Sequence, residues 1–329
     1  MKCLLTLAIL MFFALSTPGA ALAGTSVQKL KDPAQNNSDY NAIFEEIISQ
    51  GGSATSDLIA LLAEKTPLDL VEAKRHWGAK VTAMNILSEL NAQEALDILK
   101  DMLENSDNLS AINNAARTIG RIGGNKAYQI LEDIFVNAQK LNYTQNEARL
   151  RALIAGLGLC GNKKAAALLA DVMKNPNNDE IIQIYAAGSL GLLGSQDGLD
   201  AATAGLGSTD PYIRLAATRA LGLIGSPSSV PALSKLTRPD VDYVYRKSAQ
   251  LSIAQIETAQ LPDDNKIVYI QHQLINHPQI TDFIQWGTMK LKKMNTPKAK
   301  KALEDLTTGN APDFEALRHA AKVRAKTMT

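Results

Sequence analysis

The stretch Asp210-Pro211-Tyr212-Ile213-Arg214-Leu215-Ala216-Ala217-Thr218-Arg219-Ala220-Leu221-Gly222-Leu223-Ile224-Gly225 reads as one helix with its own punctuation. Asp210 is placed to accept from the free N–H groups of the first turn, and Pro211 stands where a missing N–H costs nothing. Gly225, followed by Ser226-Pro227, stops the helix. Between these signals one face is built from alanine and glycine, so another helix can approach it closely.

The pattern recurs upstream. Tyr185 to Gly194, Arg151 to Gly161 and Ala115 to Gly123 are all small-residue helices ending in glycine. With Gly120, Gly158, Gly191 and Gly222 taken as equivalent, the steps are 38, 33 and 31 residues, within the range of stacked two-helix repeats. Weaker copies lie at Val81 to Leu87 and at Arg246 to Ile253. Between them runs a second apolar pattern at three- and four-residue spacing, over residues 95–103, 127–135, 166–173 and 230–236. Each of these is an amphipathic helix, so the repeating unit is a helix pair. A glycine inside a helix costs about 1 kcal/mol; stacking offsets that by burying stripes no single pair could cover.

Asp210-Pro211, Arg214, Ala216-Ala217, Ala220-Leu221-Gly222 and Ile224-Gly225, followed by Pro227 and Val230-Pro231-Ala232-Leu233, resemble the consensus of HEAT repeats. The likeness is to the short variety also found in phycobilisome-lyase-like proteins. It extends over residues 55–308 and is strongest over 109–256. The resemblance implies an all-α chain: a right-handed α-solenoid of about seven to eight stacked antiparallel helix pairs, with the second helix of each pair on the concave side. It implies no chemistry, because the fold serves unrelated partners.

Composition agrees. At 329 residues and 46% hydrophobic, the chain can bury a row of small cores, and 5% aromatics argue against a large aromatic ligand cage. No alternating pattern of useful length points to strands. Residues 1–23 read as a signal peptide: Lys2, an apolar run from Leu4 to Leu15, and Ala21-Leu22-Ala23 before Gly24. That run is shorter than the about 20 residues a membrane span needs, so no transmembrane segment is expected after cleavage. The expected location is outside the cytoplasm, in a bacterial periplasm. Without Lys2 the chain carries 33 basic and 33 acidic residues, which speaks against a general nucleic-acid binder.

Residues 24–38 are expected to be a polar linker, 39–308 the repeat solenoid (most regular over 109–258), and 309–329 a C-terminal capping helix beginning near Phe314. The 38-residue step is assigned to a longer loop around Gln139 to Gln145. Cys160, the one cysteine after the leader, sits on a small-residue helix and is expected to be buried.

Catalytic signatures do not appear. The four histidines share no three- or four-residue spacing, and HExxH, CxxC and G-x-S-x-G are missing. The segment Gly120 to Lys126 lacks the spacing of a phosphate loop and reads as helix termination. No cofactor and no enzymatic activity are expected. The expected function is that of an exported, non-catalytic scaffold binding a protein partner. Two alternatives stay open: a cofactor- or pigment-handling protein related to phycobilisome lyases, and a peripheral binder of anionic membrane.

Candidate contact residues on the second helices are Arg117, Arg149, Arg214, Arg219 and Tyr245, all expected to be exposed. Asp210/Arg214, Asp242/Arg246 and Glu147/Arg151 are spaced for pairing one turn apart, and in the resembled family such residues form a ladder between repeats. For the anionic-membrane alternative the candidates are Lys290, Lys292, Lys293, Lys298, Lys300 and Lys301, within a region of ten basic and four acidic residues over 290–329.

Overall fold

The computed structural model describes residues 26–31, 37–139, 143–277 and 281–308. The leader and the expected capping helix at 309–329 lie outside the described residues. Among those described, all regular structure is helical: a turn at 26–29, four short 3-10 helices, and the α-helices α1 (Asn37–Gln50), α2 (Thr55–Ala63), α3 (Leu70–Glu89), α4 (Leu96–Asn105), α5 (Leu109–Ile122), α6 (Gly124–Gln139), α7 (Tyr143–Leu159), α8 (Lys163–Lys174), α9 (Glu180–Leu192), α10 (Leu199–Gly205), α11 (Pro211–Ile224), α12 (Val230–Ser234), α13 (Tyr243–Ala259), α14 (Asp263–Asn276), α15 (Thr281–Met294) and α16 (Pro297–Thr308). Two compact units divide the chain, residues 1–134 and 135–329, with the boundary inside α6.

The helix starts follow from their caps. Asp69 accepts from Val71 and Glu72 at the start of α3, Asn108 from Ser110 and Ala111 at α5, Asp210 from Tyr212 and Ile213 at α11, and Asp242 from Val244 at α13. Each such cap contributes about 1 kcal/mol. Gly225 takes the left-handed conformation (φ 75°) that stops α11, with its N–H on the Leu221 carbonyl.

In the unit 135–329 the second helices α7, α9, α11 and α13 lie against one another in sequence. The repeated glycine is where they touch. A Cβ at Gly158 would fall 2.7 Å from Ser189 Cβ, at Gly191 2.6 Å from Ile224 Cα, and at Gly222 2.8 Å from Ser252 Cα. The core between them is correspondingly small: Ala202, Ala216, Ala217, Ala220 and Ala249 with Ile184, Leu221, Leu233 and Ile256. A buried hydrogen bond from Ser252 Oγ to the Thr218 carbonyl (2.8 Å) fixes the register of α13 on α11.

The end of the array changes character. Helices α14, α15 and α16 pack as a three-helix group rather than as a further pair. Phe283 and Trp286 supply the bulk that alanine supplies elsewhere, with their rings edge to face at 6.1 Å. His277 stacks on Phe283 at 4.3 Å.

Two expectations need correction. Residues 26–31, expected within a polar linker, include a helical turn whose Val27 and Leu30 are buried and whose Ser26 and Lys29 both reach Glu46. The 38-residue step lengthens helices rather than a loop: α6 runs to Gln139 and α7 begins at Tyr143.

In the unit 1–134, a buried polar cluster ties α2 to α3. Lys80 Nζ donates to the Leu62 carbonyl (2.8 Å) and to the Glu64 carbonyl, closing the C-terminal end of α2. Glu64 also receives Lys31 Nζ at 2.9 Å and meets His76 Nε2 at 2.9 Å. Burial pushes the Glu64 carboxyl up, but the hydrogen bonds from Lys31 and His76 outweigh it and hold the group below the usual range.

Candidate functional site

The expected contact residues divide into two kinds. Arg117 on α5 and Arg219 on α11 are exposed, and Arg149 on α7 is half-buried. Arg214 and Tyr245, expected to be exposed, are instead half-buried and engaged with each other. Arg214 Nη1 donates to the carbonyls of Ser208 (2.8 Å) and Thr209 (3.0 Å), and Nη2 to Tyr245 Oη (3.3 Å). Tyr245 Oη donates in turn to the Pro211 carbonyl at 2.9 Å. The physical reason is accounting of backbone groups: the loop before α11 has carbonyls without a helical partner, and a guanidinium one turn away satisfies them.

The ladder between repeats therefore differs in chemistry from the expected acid–base pairs. Asp210 and Asp242 cap their helices, while Arg214 and Arg246 turn back to their own loops; Arg246 Nη1 reaches the carbonyls of Pro239 (3.0 Å) and Val241 (3.4 Å). Of the three expected pairs only Glu147–Arg151 forms, at 3.4 Å. Between repeats the contact is arginine over tyrosine: Arg151 lies 5.7 Å from the Tyr185 ring centre and Arg214 5.3 Å from that of Tyr245.

A second device has no counterpart in the repeat motif. Gln196 Nε2 donates to the Ile224 carbonyl (2.9 Å), so a residue just before the first helix of a pair closes the end of the second. In the other unit Gln93 reaches the carbonyls of Ile122 and Gly123 at 3.5 and 3.4 Å.

The helix starts of the unit 135–329 form a cleft of about 550 Å³. Glu147 and Arg151 of α7, Asp179 and Glu180 before and in α9, and Asp210 before α11 bring four carboxylates and one guanidinium to it. Tyr212 stands on its lip, 71% exposed, and Tyr243 and Val244 occupy the same place at the start of α13, also exposed. In the unit 1–134 the equivalent positions hold exposed Leu70, Val71 and Leu109. The signal is present in the sequence, since a large apolar residue follows the capping Asp or Asn within two positions. Only its recurrence after Asp69, Asn108, Asp210 and Asp242 marks it as more than a lone exposed side chain.

The lysine group is also divided. Lys298 pairs with Asp264 at 2.8 Å and Lys301 with Asp305 at 3.6 Å, so the continuous basic face expected there is partly neutralised. Lys300 and Lys292 are exposed on α16 and α15, and Lys290 and Lys293 turn toward α14. Cys160 is buried as expected, its thiol donating to the Leu157 carbonyl, and burial pushes that thiol up. Among the described residues no group of three His, Cys, Asp or Glu side chains could hold a metal ion, and no helix is long and apolar enough to cross a membrane.

Residues 177–254, spanning α9 to α13, match the family model described as HEAT repeats. The repeat assignment is thus shown for the stretch where the helix pairs are most regular. No curated protein matches the sequence. Solved structures that are similar include the complex of CpcE and CpcF of phycocyanin lyase from Nostoc sp. PCC7120, at 17% identity and TM-score 0.47, covering 76% of this chain and 92% of that one. Human deoxyhypusine hydroxylase in complex with glycerol is similar at 16% identity and TM-score 0.31, covering 73% of this chain and 97% of that one. An engineered protein is similar at 17% identity and TM-score 0.33, over 88% of this chain and 79% of that one.

Proposed function

We propose that this chain is an exported, non-catalytic scaffold of HEAT-like repeats that binds a protein partner along the starts of the second helices in the unit 135–329. The observation that carries the reading is Tyr212, 71% exposed on the lip of a cleft that holds more carboxylates than cations. Exposed tyrosine beside a polar groove is the composition of binding surfaces, because the ring adds contact area at low entropic cost. The charge of the cleft selects a partner segment that is basic with apolar anchors. Export, with the bacterial periplasm as destination, is supported by the pattern of Lys2, the apolar run and Ala21-Leu22-Ala23.

The test is a crosslinking pull-down with tagged protein in its own host, comparing the natural chain with Tyr212→Ala/Tyr243→Ala. Loss of one dominant partner in the variant, with circular dichroism unchanged, is the expected result. Equal recovery from both proteins would sink the assignment of the surface. N-terminal sequencing of the protein from the exported fraction checks the cleavage before Gly24.

A further inference from the structure

Where α13, α14 and α15 meet there is a cleft of about 220 Å³. Three ammonium groups line it, Lys266 of α14 and Lys290 and Lys293 of α15, against a single carboxylate, Asp263. That carboxylate is 2.9 Å from Lys266 and neutralises it. Among the described residues neither Lys290 nor Lys293 has a hydrogen-bond or ion-pair partner. Lys298 and Lys301, nearby in sequence, are paired with Asp264 and Asp305. Two of the unpaired ammonium groups of this region therefore lie together at the cleft, while exposed Lys300 stands outside it. Lys290 is exposed as a residue, yet the walls crowd its ammonium: burial pushes it below its ordinary value, and Lys293 and Lys266 push it further. Cations placed together without a counter-charge cost stability unless an anion joins them.

We infer that this cleft is a binding site for a compact phosphate-type dianion, held by Lys290 and Lys293 and bordered by Lys266. Two unneutralised ammonium groups match the charge of a phosphate monoester, about −1.5 to −2 near neutral pH, whereas a carboxylate would leave one cation unmatched. Lysines suit phosphate as point charges that need no bidentate geometry. The volume is below the roughly 300–1,000 Å³ of sites for drug-sized ligands, so it accepts the phosphate and a small remainder. Ile270 and Met294 in the wall provide apolar contact for that remainder. The inference stands on this cleft alone and is independent of the rim of helix starts.

The phosphate could belong to a soluble monoester or to a lipid headgroup, and the experiment separates them. The full chain is titrated calorimetrically with glycerol 3-phosphate, and its sedimentation is followed with phosphatidylcholine vesicles containing phosphatidic acid or, separately, phosphatidylglycerol. Lys290→Gln and Lys293→Gln are compared with Lys300→Gln, which alters an exposed lysine outside the cleft. Saturable one-to-one binding of glycerol 3-phosphate, weakened about tenfold by either cleft variant and unchanged in Lys300→Gln, supports the site with a soluble ligand. Binding confined to phosphatidic acid vesicles, with the same variant pattern, supports it with a lipid source. The inference fails if neither probe binds, or if Lys300→Gln weakens binding as much as Lys290→Gln. Equal binding to phosphatidylglycerol vesicles by all four proteins would also overturn it, as the mark of a diffusely charged face.

Discussion

The guanidinium of Arg214 lies over the ring of Tyr245, 5.3 Å from its centre, and the two residues belong to successive second helices, 31 positions apart. The contact joins α11 to α13 at their starts, and the buried bond from Ser252 to Thr218 joins them one level deeper.

Removing the clasp should therefore cost stability in a coupled way. Arg214→Ala and Tyr245→Ala are each expected to destabilise by about 1–2 kcal/mol, with an interaction energy of about 0.5–1.5 kcal/mol in the double-mutant cycle. Tyr245→Phe keeps the ring but loses the hydroxyl that donates to the Pro211 carbonyl and accepts from Arg214, so it should cost about 1–2 kcal/mol. Urea unfolding of these variants beside the natural chain measures this. Strict additivity of the two alanine variants would show that the residues do not act together.

Glycine to alanine should change sign between two helices. A methyl group added at Gly78 in α3 would meet nothing within 4 Å, so Gly78→Ala should stabilise by about 0.5–1 kcal/mol through helix propensity. At Gly191 the added carbon would fall 2.6 Å from the backbone N and Cα of Ile224. Overpacking of about 1–3 kcal/mol or more then exceeds the propensity gain, and Gly191→Ala should destabilise. Thermal melts that rank the two variants in the opposite order would refute the close approach of α9 and α11.

Much of this is legible in the sequence, for a physical reason. Asp210, Pro211 and Gly225 act within a few residues, so the limits of α11 can be read locally, and the small face of that helix announces close packing. What is not legible depends on register between elements. Gln196 meets the end of a helix 28 residues later, and Lys266 faces Lys290 across a three-helix group that no repeat motif describes. Arg214 stands out in the sequence, but its spacing from Asp210 suggests a pair that does not form, because Arg214 turns to the Ser208 and Thr209 carbonyls and to Tyr245 while Asp210 caps α11. Whether a side chain one turn from a carboxylate meets it depends on what else competes, and here unpaired loop carbonyls compete successfully.

Lys80 carries a structural load in the unit 1–134. Lys80→Met keeps the stem but leaves the Leu62 and Glu64 carbonyls without their donor, so a loss of about 2–3 kcal/mol is expected in urea unfolding. Lys74→Met, on the exposed side of the same helix, should stay within about 0.5 kcal/mol. Indistinguishable effects would mean that the α2 end does not depend on this ammonium.

Acid should weaken the C-terminal helix group through His277. Burial, and secondarily His272, hold its pKa below the ordinary value. The unfolded chain therefore binds a proton at a pH where the folded chain does not, and stability rises with pH in that window. The neutral imidazole's contribution is full above about 6.5 and is lost as pH falls from there to the depressed folded value. His277→Phe should flatten the dependence of melting temperature on pH just below about 6.5. The lowered carboxyls of Glu46 and Glu64 act only at more acid pH. An unchanged slope in the variant would assign the effect elsewhere.

The glycine contacts near the ends of α7, α9 and α11, with the arginine–tyrosine contacts near the helix starts, also set what kind of molecule can lie along those starts. An interface filled by long side chains can slide by exchanging rotamers, but one where a glycine meets the neighbouring helix at Ser189, Ile224 or Ser252 has no such slack. Within the unit 135–329 the row of helix starts is thus a ruler with engraved marks. A ligand cannot pull the marks closer to suit itself; it has to bring anchors at the same pitch, or settle for one mark at a time.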